Sequence, residues 1–393
     1  MRVNVVTPWY PDYASSYSGV FVRQQVDALR SLGAQVFVEV PLVYPAPSGP
    51  VPQQVKVAMR RLAESGADNL FPSDGSTTWI PSPVPSKSGY AGRTKSFASS
   101  ISLKREFQPV EVDVFHAHLG VPTGAALDEI GDRPLFVTEH QSTLSTIFTE
   151  PQARDLYGKT IESSNGFFCV STALRDQIVD ALGSEAGDRI EIVPNIVNLS
   201  DIEFVARTRY QFSRWIYIGT IAAHKGIETL MKAFKSYRQR YDRSASLTLV
   251  GQGPHVAWTE KFISANGLRS AVHLAGSKPH QEIGPFMVDA DVMVHLSESE
   301  TFGIASLEGI GSGLPVVSLK NGGADSSWGD MERECGLLLE LGTTPDQIAD
   351  AVAGLADGHE GLDLQTGRKM VESRFGPTII ANRLMTAYET SLR

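Results

Sequence analysis

The sequence predicts an α/β protein of two domains, each a Rossmann-like open sheet of mainly parallel strands covered by helices. A chain of 393 residues exceeds what one continuous hydrophobic core usually fills. Short, nearly continuous apolar runs recur at helix-sized intervals, the pattern of strands buried on both faces of a parallel sheet. That rhythm occurs twice, once on each side of a stretch that lacks it. The predicted boundaries are a first domain over 1–195, a linker over 196–213, a second domain over 214–374 and a terminal helix over 375–393.

VNVVT (Val3 to Thr7) reads as the opening strand, followed by the turn-rich PWYPDYASSYSG. Val22, Val26 and Leu29 then recur on one helical face until Gly33 closes the helix. VFVEV (Val36 to Val40) is the next strand. From Pro41 through Pro109, clustered prolines and small polar residues, as in PAPSGPVP and PSPVPSKSGYAGRTKSFASS, predict mobile loop rather than core. Regular order returns with VDVFHAH, PLFVTEH, NGFFCVS and RIEIVPN, four strand candidates. The second series runs through RWIYIGT, SLTLVGQG, AVHLAG, DVMVHL and LPVVSL. Its first helix places Leu230, Met231, Phe234, Tyr237 and Tyr241 on one predicted buried stripe, with Glu228 and Lys232 supporting each other outside. Ligands of such sheets lie beyond the carboxyl ends of the strands.

A formal net charge of -9 disfavours a broad nucleic-acid footprint and leaves a small anionic ligand compatible. The opening segment lacks the long apolar stretch and small-residue cleavage site of a secretory signal, and no run of about eighteen apolar residues would span a membrane. A cytoplasmic location is expected, with peripheral contact at the inner membrane face left open, as is the oligomeric state. Cys169 and Cys335 have no metal-ligand spacing and read as free thiols of a reducing compartment.

The most informative stretch is SESETFGIASLEGIGSGLPVV, Ser297 to Val317, which places Glu300 and Glu308 around a turn containing Phe302 and Gly303. DVMVHL before it reads as a buried strand; Ile304, Leu307, Ile310 and Gly311 after it fit a helix packed closely on a sheet. A helix starting near Gly303 turns free amides toward an anion. Carboxylates repel phosphate, so both glutamates should hold something else, such as hydroxyls.

With this loop the chain resembles the retaining GT-B glycosyltransferases, particularly the large GT4 family (glycosyl transferases group 1). The matching residues are Glu300 and Glu308, the E-x-F-G of Glu300 to Gly303, the GSGLPVV that follows, Gly219, Lys225 and Gly226, the GQG run, NGG (Asn321 to Gly323) and CGLLLE. In the first half they are the Gly19 loop, Asp113 to His118, the TEH run and VPNIVN. The resemblance implies a GT-B fold, two Rossmann-like domains facing across a cleft, with donor bound mainly by the second and acceptor mainly by the first. It further implies a terminal helix that returns to the first domain.

The resemblance assigns the donor site to Gly19, Gly219, Thr220, Lys225, Glu300, Phe302, Gly303 and Glu308. Glu308 would bind the nucleotide ribose, Glu300 the donor-sugar hydroxyls, and Lys225 the diphosphate, stabilising charge as it leaves the sugar. His118 would face the donor sugar, so Lys225, Glu300 and His118 form the expected catalytic set. Phe302 could simply pack the loop, Gly19 could be an ordinary flexible turn, and His116 reads as structural. His116 and His118 share a strand phase, although the turn after the strand can separate their directions. The chain departs from the family at Thr220, where G-R-x-x-x-x-K-G has arginine; Arg23, His224 or a backbone amide would have to compensate. Glu139, His140, Arg93 and Lys95 are acceptor-side candidates, the last two within the Pro41–Pro109 segment with Tyr90, Lys104 and Arg105.

The implied reaction transfers a sugar from a nucleotide diphosphate sugar, a substrate rather than a cofactor, to an acceptor hydroxyl with retention of configuration and without a catalytic metal. Carbohydrate, glycolipid and small-molecule acceptors all fit. Two alternatives stand beside it: a noncatalytic nucleotide-sugar-binding sensor, which Thr220 favours, and a nucleotide-sugar epimerase, which would act without an acceptor.

Overall fold

The computed structural model describes the chain except residues 12–18, 47–75, 86, 132, 143, 207–211 and 358–360. The polypeptide divides into two compact units, Met1–Pro194 with Ile380–Arg393, and Asn195–Ile379.

The first unit is a seven-stranded parallel sheet in the order β3-β2-β1-β4-β5-β6-β7. Its strands are β1 (Arg2–Val6), β2 (Gln35–Ala46), β3 (Thr77–Pro85), β4 (Val114–His118), β5 (Leu135–Glu139), β6 (Gly166–Cys169) and β7 (Ile190–Ile192). Six of these lie on the predicted apolar runs. β3 does not: the segment expected to be loop forms this edge strand and then the helix Gly89–Phe107. The register explains why three prolines are accepted. The Val38 amide donates to the Ser76 carbonyl and Val38 pairs with Thr77, so even-numbered β3 residues bond to β2. Pro81, Pro83 and Pro85 therefore turn their missing N–H groups to the open edge of the sheet. The Pro83 carbonyl on that edge accepts from Ser96 Oγ of the following helix.

That helix also corrects the expected role of Lys104, which is 5% exposed and places Nζ 2.9 Å from Oε1 of buried Glu39 on β2. Arg105 reaches the other Glu39 oxygen at 3.5 Å and lies 4.3 Å over the Phe115 ring. Both lysine and arginine thus tie the helix to the sheet.

The second unit is a six-stranded parallel sheet ordered β10-β9-β8-β11-β12-β13. Its strands are β8 (Arg214–Ile218), β9 (Ser246–Val250), β10 (Val272–Gly276), β11 (Val292–His295), β12 (Val316–Leu319) and β13 (Gly336–Leu339), the first five on predicted runs and the last within CGLLLE. The helix Ile227–Arg240 buries Leu230, Met231, Phe234 and Tyr237, while Lys232 and Glu228 pair outside at 3.4 Å. Tyr241 departs from the predicted stripe. It lies past the last helical residue, is 48% exposed and donates to Asp350. Phe375 likewise ends its own helix, Leu364–Phe375, because Gly376 and Pro377 interrupt it before Pro377–Ser391.

In each sheet the strand order reverses once, beside β1 and β4 in the first unit and beside β8 and β11 in the second. Loops leaving the carboxyl ends there diverge and leave a crevice, which is where ligands of doubly wound sheets bind. Gly19 follows β1 and His118 ends β4; Lys225 follows β8 and Glu300 follows β11.

Candidate donor and histidine sites

The chain leaves β8 through Gly219 and Thr220 into the short 3-10 turn Ala223–Lys225. Gly226 then enters the next helix at φ 70, and any Cβ there would run into the Leu296 carbonyl oxygen beyond β11. Glycine lets the β8 and β11 loops touch. Lys225 Nζ consequently lies 2.7 Å from Glu300 Oε1, with the side chains 22% and 16% exposed.

Glu300 is placed from both sides. Its amide donates to the Asn321 carbonyl, and Asn321 Nδ2 donates to the Ser297 carbonyl at 3.0 Å, so NGG clamps the SESE loop. His295, at the end of β11, puts Nε2 3.9 Å from Glu300 Oε1. Burial alone would raise the Glu300 carboxyl; His295, Lys225 and Ser297 outweigh it and hold the group below the usual carboxylate range. His295 stacks on Tyr217 at 5.4 Å, and the Tyr217 hydroxyl donates to the Thr220 carbonyl at 2.8 Å. The β8 turn is thereby braced from the same histidine that faces Glu300. The Thr220 side chain itself is exposed, as is His224.

Gly303 caps the helix Ile304–Gly311 at φ 84, where the sequence places its start. Phe302 is 2% exposed and meets Phe375 edge-on at 5.2 Å. It packs the loop and presents no face to a ligand, which narrows its expected donor-binding role to support. Glu308, 4% exposed on the second turn of the helix, places Oε1 2.6 Å from His280 Nε2. Lys225, Glu300, Gly303 and Glu308 thus all lie on loops and a helix start at one end of one sheet.

In the first unit Gly19 adopts φ 69 at the start of the helix Val20–Ser31, and a Cβ there would overlap the Trp9 carbonyl. The turn demands glycine for its own closure. Arg23 on that helix is exposed and faces Asp27 at 3.6 Å.

His116 and His118 are both fully buried with rings stacked at 4.9 Å, and His118 stacks in turn on His140 at 5.0 Å. No turn separates their directions, because both lie inside β4, whose alternate residues share a face as their common strand phase indicates. His118 Nδ1 is 2.8 Å from His140 Nε2; His116 is bonded to Thr138 at 2.7 Å and to the Tyr388 hydroxyl at 2.5 Å. Burial, then His140, pushes His116 down to about 3, and burial with its two ring neighbours pushes His118 well below its ordinary value. These are neutral imidazoles.

Glu139 is fully buried and accepts from the amides of Gly120, His140 and Gln141 and from the Tyr157 hydroxyl, all within 2.9 Å. Those bonds use its carboxylate to shape the turns after β4 and β5, where it was named as an acceptor-side candidate. Arg93 and Lys95 are exposed, Arg93 lying 5.3 Å over the Tyr90 ring, while the Tyr90 hydroxyl is 3.5 Å from Gln141 Nε2 beside His140. Sequence reasoning missed His295, His280 and Tyr217. The first was visible as the last residue of a strand leading into SESE; the other two carried no local signal.

Among the described residues no group of three or more His, Cys, Asp or Glu is arranged to hold a metal ion, and no helix is long and apolar enough to cross a membrane. Cys169 and Cys335 are buried free thiols.

The model of the family described as Glycosyltransferase Family 4 matches residues 18–201, and that of Glycosyl transferases group 1 matches residues 208–365. The chain is 23% identical over 373 residues to the putative teichuronic acid biosynthesis glycosyltransferase TuaC of Bacillus subtilis, covering 90% of this chain and 88% of that one. It is 24% identical over 298 residues to the N-acetyl-alpha-D-glucosaminyl L-malate synthase of Bacillus anthracis, covering 72% and 75%. Among solved structures it is similar to sucrose-phosphate synthase from Thermosynechococcus elongatus, with a TM-score of 0.76 at 19% identity over 99% of both chains. It is also similar to Anabaena HepE in complex with UDP, with a TM-score of 0.70 at 16% identity over 99% of this chain and all of the other. With one unit matching each half of that family, and both folded as parallel Rossmann-like sheets, the chain belongs to the GT4-like glycosyltransferases of GT-B fold.

Proposed function

We propose that this glycosyltransferase takes a sugar from a nucleoside diphosphate sugar held by the second unit and passes it to an acceptor hydroxyl with retention of anomeric configuration. The observation that carries the reading is the Lys225–Glu300 pair beside the start of the helix that bears Glu308. An ammonium, helix-start amides and two carboxylates gathered at one sheet end suit a ligand that is anionic in one part and hydroxylated in another. Glu308 accepts from ribose hydroxyls, Glu300 from donor-sugar hydroxyls, and Lys225 neutralises the diphosphate as the glycosyl bond breaks. The acceptor oxygen attacks from the face the diphosphate leaves, and a phosphate oxygen takes its proton, so no protein base is needed. The chemistry uses no metal in this scheme. HepE, in the same fold, is described in complex with UDP, which supports a nucleotide as ligand.

Thr220 supplies no second cation, so Lys225 carries the diphosphate charge with the Gly219–Thr220 and Gly303 backbones. In the first unit the neutral His118 acts by shape and hydrogen bonding rather than as a cation. The test is incubation with nucleotide sugars and an acceptor panel, followed by proton NMR of the product. Acceptor-dependent transfer with the donor's anomeric configuration is expected. An inverted product would overturn retention; change of the free nucleotide sugar alone would indicate an epimerase, and binding without turnover a sensor.

A further inference from the structure

Glu308 does not stand alone at the donor site. It sits on a helix whose other inward residues are apolar or small: Leu307 and Ile310 are fully buried, and a Cβ on Gly309 would press on Met293. Such walls offer the carboxylate nothing to hold its orientation. One described side chain does so, His280, from the short 3-10 turn His280–Glu282 that follows β10. Its Nε2 lies 2.6 Å from Oε1, and no described residue donates to Oε2. The two oxygens of Glu308 are therefore inequivalent, with one engaged by the protein and one left to an incoming donor.

We infer that His280 is a positioning residue for nucleoside recognition, fixing Glu308 so that Oε2 meets the ribose hydroxyls and giving the site its discrimination between ribose and deoxyribose. This rests on the donor-site reading above. A carboxylate that can rotate pays for its alignment when ligand binds, whereas one already held accepts both vicinal hydroxyls at once. The groups facing His280 are consistent with a lasting hydrogen bond: Glu308 first, and the charge of Asp201 from another segment, both favour its protonated form and outweigh burial. A pocket that hydrogen-bonds a hydroxyl rejects ligands lacking it far more strongly than apolar shape does. Removing His280 should then cost selectivity more than it costs stability.

The experiment is calorimetric titration of the full chain with UDP, GDP and ADP, each beside its 2′,3′-dideoxy counterpart. Wild type is expected to prefer the ribose form of its best ligand by about tenfold or more. His280→Ala and His280→Leu should bring that preference to within about twofold while melting near the wild-type temperature, and His280→Gln, which can still donate to Oε1, should restore most of it. The pair of apolar variants guards against one of them failing to fold. An undiminished preference in a folded His280→Ala or His280→Leu protein overturns the inference and leaves the donor reading intact. No binding of any of the three nucleotides by wild type removes the donor reading and this inference with it.

Discussion

Lys225 Nζ and Glu300 Oε1 lie 2.7 Å apart although 75 residues separate them, because the β8 and β11 loops meet at Gly226. Each neutralises the other while held apart from bulk water by partial burial. A diphosphate sugar would replace this internal pair by two separate contacts, phosphate on the ammonium and hydroxyl on the carboxylate. Under the proposed function the pair is a resting arrangement that a donor would relieve.

Replacing Lys225 should act on the departure of the diphosphate. Lys225→Ala is expected to lower kcat by about a hundredfold to a thousandfold, the usual loss when one preorganised charge stabiliser is removed. Glu300→Gln, which keeps a hydrogen-bonding side chain, should raise KM for the donor more than it lowers kcat. Steady-state kinetics on both variants and on the double variant check this; losses that simply add would argue against their acting on one ligand.

Glu39 and Lys104 provide a test of the fold that is independent of the site. A carboxylate and an ammonium at 2.9 Å, 1% and 5% exposed, depend on one another for charge compensation. Lys104→Ala should destabilise the chain by about 3–5 kcal/mol, since it leaves Glu39 buried with only the longer Arg105 contact. The paired change Glu39→Gln with Lys104→Met should recover much of that loss. Urea denaturation of the two variants beside wild type decides it, and a loss below about 1 kcal/mol for the single change would contradict the burial of this pair.

The stacked histidines predict acid sensitivity of a definite sign. His116 is depressed to about 3 in the folded chain against an ordinary 6.5. A depressed base contributes stability above its unfolded pKa and loses it as pH falls, because the unfolded chain takes up a proton that the folded one refuses. His116 alone should cost about 2 kcal/mol between neutral pH and pH 5, with His118 adding in the same direction. Stability curves of wild type and His116→Gln should converge as pH falls from 7 to 5. Parallel curves would contradict the neutral, buried assignment.

Which parts of the fold could be read in the sequence follows from where each strand lies. Strands buried on both faces announce themselves by composition alone, so VFHAH, LFVTE and VMVH were legible. β3 was not, because prolines signal loop unless their missing N–H groups meet no partner, and that depends on pairing with β2 and on being at an edge. Lys104 was misread for a related reason: a lysine in a polar stretch looks solvated until the strand carrying Glu39 is placed beside it. At the site, Lys225, Glu300 and Glu308 were singled out through the resemblance that their short motifs carry, and the fold brings them to one end of one sheet. His280, 28 residues before Glu308, was not, because only the return of the chain after β10 brings them together. His118 was found by its place at a strand end, but its neutrality comes first from burial and then from His116 and His140, whose rings stack on it.

The proposed nucleoside diphosphate site is built around Glu308. It is tested most directly by calorimetric titration of wild type and Glu308→Ala with UDP, GDP, ADP and TDP. Selective binding by wild type is expected, with a loss of at least about tenfold in affinity in the variant at an unchanged fold by circular dichroism. Equal binding by the two proteins, or none by well-folded wild type, would contradict it.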